Sequence, residues 1–187
     1  MRRDPTSSRP TAREVLADID EGDLRRLIWA YGEERWAPRI AATVARERAA
    51  RPIETSGQLA RLIEGAIPRA AWPPKTHPAT RTFQAIRIVV NDELAGLEGA
   101  IKSAVAFLAP GGRLAVITFH SLEDRIVKHA FRRLSVACTC PPDMPECRCT
   151  GVGVARLITK KAIVASDAEV ASNPPSRSAK LRILEKA

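Results

Sequence analysis

The stretch Ala109-Pro-Gly-Gly-Arg-Leu-Ala-Val-Ile-Thr-Phe-His-Ser-Leu-Glu-Asp124 decides the fold class. Its Pro-Gly-Gly turn is a strong helix stop. The run from Arg113 to Phe119 is almost wholly apolar and as long as one strand, which is typical of a parallel strand covered by helices on both faces. Ser121-Leu-Glu-Asp124 then offers an N-cap for another helix. This order of elements predicts the end of an α/β sheet domain.

The sequence before this stretch predicts helices and no strand. Apolar residues recur at helical spacing in four segments between residues 11 and 68, and Thr11-Ala-Arg-Glu14 has the pattern of a capping box. Three prolines between residues 73 and 78 mark a linker. A long helix is expected from Thr80 to Leu108, with Asn91-Asp-Glu93 as the place where it kinks or divides.

The sequence after the stretch predicts two more strands. Val154–Ala165 is expected to form one strand and Ala179–Glu185 a closing strand paired with it. Ser166-Asp-Ala-Glu169 has the pattern of a cap for a helical turn between them.

Composition and charge narrow the class of protein. Of 187 residues, 45% are hydrophobic and 27% are charged, which is a globular balance. No apolar run approaches the roughly 20 residues that span a bilayer, and no apolar secretory segment stands at the start, so we expect a cytoplasmic protein without a membrane partner. The net charge is +9, and 13 basic against 7 acidic residues leave +6 within residues 105–187. Such an excess favours a polyanionic partner, of which nucleic acid is the commonest.

All four cysteines lie within twelve residues, as Cys138, Cys140, Cys147 and Cys149. In a cytoplasmic chain this clustering indicates a metal or redox site rather than a disulfide framework. Four thiolates suit a structural zinc ion, yet a one-residue gap strains two thiolates onto one metal. Structural zinc and reduced free thiols therefore both stay open.

Three ordered segments resemble the bacterial 16S ribosomal RNA cytosine-N4 methyltransferase family. They are His77-Pro-Ala-Thr-Arg-Thr-Phe-Gln-Ala-Ile-Arg-Ile88 with Val90-Asn91 and Glu93-Leu94, then Ala109–Leu114 with Thr118–Lys128, and finally Asn173-Pro174 with Ser176–Arg182. Tyr31-Gly-Glu-Glu-Arg35 also fits, so the resemblance covers essentially the whole chain. The family methylates the exocyclic amine of one cytosine in the decoding region of small-subunit ribosomal RNA.

The resemblance implies a fold and a division of the chain. The family has a Rossmann-like S-adenosylmethionine methyltransferase domain interrupted by a helical insertion. Residues 1–10 would be a remnant of a catalytic-domain loop and residues 11–75 the helical insertion domain. Residues 76–187 would be the C-terminal part of the methyltransferase domain, with the cysteine loop at 138–149. The expected fold class is therefore α/β, with an incomplete methyltransferase domain that holds the closing strands and helices.

The residues that would bind S-adenosylmethionine are not found in the sequence. A donor pocket of this class needs a glycine-rich turn after the first strand and an acidic residue after the second. The close glycine pairs are Gly111-Gly112, which precedes the predicted strand, and Gly151 with Gly153 in the cysteine loop. We therefore expect a truncated form that is inactive alone, and no cofactor-binding residue is predicted.

The predicted catalytic residues are His120 and Ser121. In doubly wound sheets, ligands sit outside the carboxyl ends of the strands, where these two residues follow Phe119. Either could supply the hydrogen-bond acceptor that the amine needs. Alternatively His120 is a helix-entry residue bonded to the backbone, and Ser121 is simply an N-cap. Arg125 and Lys128 are candidates for RNA phosphates or else members of a solvated helix face.

Arg81, Arg87 and Asn91 complete the predicted RNA contacts, which the resemblance implies and helical spacing does not. The expected function is S-adenosylmethionine-dependent N4 methylation of the rRNA cytosine, with 16S rRNA and the small ribosomal subunit as partners. The alternative is a non-catalytic basic RNA-binding module with a zinc-stiffened cysteine loop. A homodimer is a further possibility, because an unpaired apolar strand at 113–119 would be an aggregation hazard.

Overall fold

The computed structural model describes residues 1, 4, 6, 8–136 and 153–187, which form two compact units, Met1–Glu93 and Leu94–Ala187. The α/β class is confirmed. The described α-helices are α1 Ala12–Asp18, α2 Glu21–Gly32, α3 Ala37–Ala50, α4 Ser56–Ala66, α5 Thr80–Asn91, α6 Leu97–Phe107, α7 Ser121–Ser135 and α8 Asp167–Ser172. Short 3-10 helices form at Arg69–Ala71 and Pro174–Ser178. The described strands are β1 Arg113–Thr118, β2 Ala155–Leu157, β3 Ile163–Val164 and β4 Lys180–Lys186. None of these helices is long and apolar enough to cross a membrane.

The regular elements described in the first unit, Met1–Glu93, are all helices. Capping boxes start α1 at Thr11 and α4 at Thr55, because each threonine side chain accepts the N–H three residues on. The unit includes α5 and so ends later than the boundary predicted at residue 75, since Ala85 and Ile86 of α5 are fully buried in the same apolar core as α2, α3 and α4. The assignment of residues 11–75 as an insertion domain stays a prediction.

The long helix expected from Thr80 to Leu108 is two helices. Asp92 ends α5 in the left-handed conformation, at φ 51°. The N–H groups of Asp92 and Glu93 donate back to the carbonyls of Val89 and Ile88. The sequence had indicated either a kink or a division at Asn91-Asp-Glu93, and the structure shows a division.

The second unit, Leu94–Ala187, holds an antiparallel sheet in the order β1-β4-β2, with β3 also paired to β4. The closing strand is confirmed as β4. The single strand expected at Val154–Ala165 is wrong: the N–H groups of Ile158 and Thr159 both donate to the carbonyl of Ile183, so the ladder is interrupted between β2 and β3.

Strand β1 is covered on one face only within the described part of the chain. Leu114 and Val116 point towards α6 and α7 and pack on a core that includes Phe131. Ala115 and Ile117 alternate with them and are exposed, Ile117 by 58%. The expectation of helices on both faces is therefore wrong for these residues. Their described pairing is antiparallel to β4, so no parallel neighbour is seen either.

Candidate functional site

At the junction between β1 and α7, one of the two predicted catalytic residues caps the helix and the other is exposed on its first turn. His120 is the N-cap of α7, with extended backbone at φ −141° and ψ 163°, and its Nδ1 accepts the N–H of Glu123 at 3.3 Å. Ser121 is the first helical residue and is exposed. The prediction of Ser121 as the N-cap is wrong, because extended strand backbone continues through His120 and the imidazole reaches the cap position first.

The capping bond fixes which nitrogen of His120 carries the proton. Because Nδ1 accepts a backbone N–H, a neutral imidazole is protonated at Nε2. That atom is buried, lies 3.2 Å from Oε1 of Glu123, and has no properly aligned hydrogen-bond partner among the described residues. The other oxygen of Glu123 accepts the N–H of Phe119 at 3.0 Å. His120 and Glu123 therefore bind each other and the strand end, and the side chain of His120 is only 9% exposed.

Ser121, Arg125 and Lys128 share one exposed face of α7. They stand at i, i+4 and i+7, which places them on the same side of a helix, and each is exposed to solvent. The structure thus brings together one predicted catalytic residue and both predicted phosphate contacts of this unit.

A buried ion pair below this junction was not predicted. Arg182 of β4 donates from Nε to Oδ1 of Asp124 at 2.7 Å and from its terminal nitrogen to Oδ2 at 3.1 Å, and Lys180 lies 3.6 Å from Oδ2. These hydrogen bonds, with the charges of Arg182 and Lys180, hold the pKa of Asp124 below its usual value. Asp124 and Arg182 stand in two of the three quoted segments, so their pairing could have been sought from the sequence.

The predicted RNA contacts of α5 have mostly structural partners. Arg81 donates to the carbonyl of Glu33 at 3.3 Å, just past the end of α2. Gln84 donates to the carbonyl of Tyr31 at 3.1 Å, and Gly32 lies so close to α5 that a Cβ atom there would be 2.8 Å from the carbonyl oxygen of Arg81. The segments around Tyr31 and around Arg81 are therefore parts of one helix contact.

Arg87 and Asn91 follow on the same helix. The Nε of Arg87 lies 3.0 Å and 3.1 Å from the two carboxylate oxygens of Glu93, whose side chain is almost fully buried. Asn91 donates to the carbonyls of Arg87 and Met1. Arg87 also lines a cleft of about 580 Å³ between α4 and α5, together with His77, Thr80, Phe83 and Gln84.

The comparison with known families covers every residue of the chain. Residues 1–187 match the MraW methylase family. The chain belongs to this family. The resemblance stated from the three segments is thereby confirmed at the level of the family.

Three similar curated proteins share one name. "Ribosomal RNA small subunit methyltransferase H" of Geotalea uraniireducens is 54% identical over 186 residues, which are 100% of this chain and 59% of the relative. The protein of that name from Geobacter sulfurreducens is 56% identical over 94% of this chain and 57% of its own length. The one from Symbiobacterium thermophilum is 55% identical over 100% and 58%. The chain thus spans about three fifths of the curated relatives it matches.

The described residues do not by themselves fit S-adenosylmethionine, the methyl donor that the MraW methylase family implies. The described glycine with positive φ, Gly111 at 78°, precedes β1 instead of following a strand. No parallel pair of described strands makes the crevice in which such a donor binds.

The predicted zinc ligands, Cys138, Cys140, Cys147 and Cys149, lie outside the described residues, so the zinc site stays a prediction. Within the described ranges, no group of three His, Cys, Asp or Glu side chains could hold a metal ion.

Proposed function

We propose that the protein methylates the exocyclic N4 amine of a cytosine in small-subunit ribosomal RNA, with S-adenosylmethionine as donor. The observation that carries the proposal is the match to the MraW methylase family over residues 1–187. The name shared by the relatives supports rRNA as the substrate class. Because this chain spans 59% of the first relative, the activity is assigned to the protein and not to this chain alone.

The junction at the end of β1 supports a division of labour between His120 and Ser121. Methylation of an amine needs an acceptor for one of its N–H groups, so that the nitrogen lone pair faces the methyl group. His120 does not suit this role while it caps α7, because its Nδ1 already accepts an N–H and its Nε2 carries the proton. The hydroxyl oxygen of Ser121 is the better acceptor, and His120 is a positioning residue that holds the turn.

The exposed face of α7 supports contact with the RNA backbone beside that acceptor. Arg125 lies one turn and Lys128 two turns from Ser121 on the same face. Cations at this spacing suit phosphates, which position a nucleic acid without reading its sequence. Arg81 and Asn91 are assigned to helix packing, in view of their bonds to main-chain carbonyls.

A chimeric enzyme tests the proposal. The 186 residues of the Geotalea uraniireducens relative that match this chain are replaced by this chain, and transfer of radioactive methyl from S-adenosylmethionine to unmodified small-subunit rRNA is measured. We expect transfer to a cytosine N4, and a Ser121→Ala chimera at least tenfold slower. Transfer to another atom, or none from a folded chimera, would overturn the proposal.

A matched pair of variants separates the two roles at the junction. His120→Asn keeps a good N-cap but removes the imidazole, whereas His120→Ala removes both. We expect Asn to retain most of the activity and Ala to lose both activity and thermal stability. Equal loss in both variants, with the stability of the Asn variant intact, would show that the imidazole itself takes part in the chemistry.

A further inference from the structure

The cleft in the helical unit is lined by the less buried face of α5. Thr80, Phe83, Gln84 and Arg87 stand at i, i+3, i+4 and i+7, on one side of the helix, and all four line the cleft. On the other side of α5, Thr82, Ala85, Ile86 and Val90 are buried. The segment beginning at His77 thus has one face for the core and one for the cleft.

The floor of the cleft suits a flat ring. Phe83 is half-buried against the helical core and offers an aromatic surface. Gly57 and Ala60 of α4 and Ala79 before α5 add small apolar groups to the lining, so a planar group can approach closely. The volume, about 580 Å³, falls within the range of small-molecule pockets and accommodates one nucleotide.

Two polar side chains of the lining, Arg87 and Gln84, are oriented by partners within the helical unit. Glu93 engages Nε of Arg87, which leaves the terminal amino groups of the guanidinium without an acceptor among the described residues. The amide nitrogen of Gln84 is bound to the carbonyl of Tyr31, so its amide oxygen is the atom left for a ligand. One end of a ligand would therefore be anionic, and its ring would carry a hydrogen-bond donor.

We propose that this cleft binds one nucleotide of single-stranded RNA, with the base against Phe83, an exocyclic amino group at Gln84 and a phosphate at Arg87. The inference rests on the proposed RNA substrate and adds a second point of contact, which lies in the helical unit. Stacking on an aromatic side chain and a phosphate contact together are the usual means of holding an unpaired nucleotide. Cytosine and adenine bind better than uracil, because uracil carries a carbonyl oxygen where they carry the amino group, and a carbonyl oxygen cannot donate to the Gln84 oxygen.

The binding test uses the full chain with cytidine, adenosine and uridine 5′-monophosphates and a labelled single-stranded RNA octamer. Titrations by calorimetry and by fluorescence anisotropy give the affinities. Ala60→Phe fills the cleft, and Phe83→Leu removes the ring but keeps an apolar side chain. Phe107→Leu is the matched control, since Phe107 is 91% exposed and lies in the other unit.

We expect the Ala60→Phe and Phe83→Leu chains to bind the octamer and the first two nucleotides at least threefold more weakly, with thermal midpoints near that of the unchanged chain. The Phe107→Leu chain should bind as before, and uridine monophosphate most weakly of the three. Unchanged affinity in a folded Phe83→Leu chain would overturn the cleft assignment and leave the methylation proposal standing. If the Ala60→Phe and Phe83→Leu chains bind nucleotides more weakly but the folded chimera transfers no methyl group, the methylation proposal is refuted and the cleft assignment stands.

Discussion

The two units differ in how completely they bury their large apolar side chains. In the helical unit, Ile28, Ile40, Ile63 and Ile86 are fully buried in one core, and its exposed large apolar residues are few. In the α/β unit, Phe107, Ile117, Phe119, Ile163 and Val164 are all at least half exposed. Several large apolar side chains left exposed on one unit are typical of a contact surface. Among the described residues, the helical unit therefore buries most of its large apolar side chains, whereas the sheet unit leaves these five uncovered.

The α/β unit is instead tied together by polar contacts. The Asp124–Arg182 pair joins α7 to β4, and the carboxylate of Glu185 is shared by Arg113 and Arg156 across three strands. Paired charges can help to fix the register of a sheet whose apolar core lies on one face only. We therefore expect the removal of a paired charge to destabilise the α/β unit and a steric clash between helices to destabilise the helical unit.

The largest effect is expected from Asp124→Ala. Removing one partner of a buried ion pair leaves Arg182 uncompensated and costs about 3–5 kcal/mol. Hydrogen exchange measured by mass spectrometry should show lost protection in β1, β4 and α7, with α2 to α5 unchanged. Equal loss of protection in both units would break the distinction between them.

The same carboxylate sets a pH dependence. Because the pKa of Asp124 is lower in the folded state than in the unfolded chain, its contribution to stability is complete above the unfolded pKa and is lost as the pH falls through the folded value. An Asp124→Asn chain should therefore lose less stability than the unchanged chain below about pH 4. Parallel acid unfolding curves for the two chains would contradict this.

A smaller loss is expected from Gly32→Ala in the helical unit. The new Cβ would meet the carbonyl oxygen of Arg81 at 2.8 Å, and separating α2 from α5 costs about 1–3 kcal/mol. Gly65→Ala is the matched control, because nothing lies within 4 Å of its added Cβ. Urea denaturation should show the first variant destabilised and the second unchanged or slightly more stable. Equal stability of the two variants would show that the helix contact adapts.

The smallest effect is expected from Ile117→Thr on the exposed face of β1. In this chain alone the change should alter stability by less than about 0.5 kcal/mol, since the side chain is more than half exposed. In the chimera we expect a loss of about 1–2 kcal/mol, because the part of the relatives beyond this chain would cover the face. The same small effect in both proteins would show that the face stays open to solvent.

Much of the fold could be predicted from local patterns. The capping boxes, the turn at Gly111-Gly112 and strands β1 and β4 follow from residue types within a few positions of each other. What escaped prediction depends on partners distant in sequence. An apolar run such as Arg113–Phe119 reads the same whether or not its second face is covered, so the exposure of Ile117 could not be inferred from it.

The candidate site shows the same limit at the level of single side chains. His120 and Ser121 were correctly expected at the end of β1, but the choice of cap depended on where the extended backbone stops. The bonds of Arg81 and Gln84 go to main-chain carbonyls of α2, and a carbonyl is invisible in a sequence pattern. Sequence spacing does not distinguish Arg87, which lines a cleft, from Arg81, which joins α5 to the end of α2.

The position of β4 in the sheet has a consequence for the order of folding during synthesis. β1, β2 and β3 each pair with β4, and Thr118 of β1 lies opposite Lys180, sixty-two residues later in the chain. The described residues of the helical unit all precede position 94, so this unit can fold before β4, the central strand of the sheet, has been synthesised. Before the ribosome has made β4, β1 cannot form the pairing that the structure describes for it. During this interval its apolar side chains and unpaired backbone expose the nascent chain to aggregation.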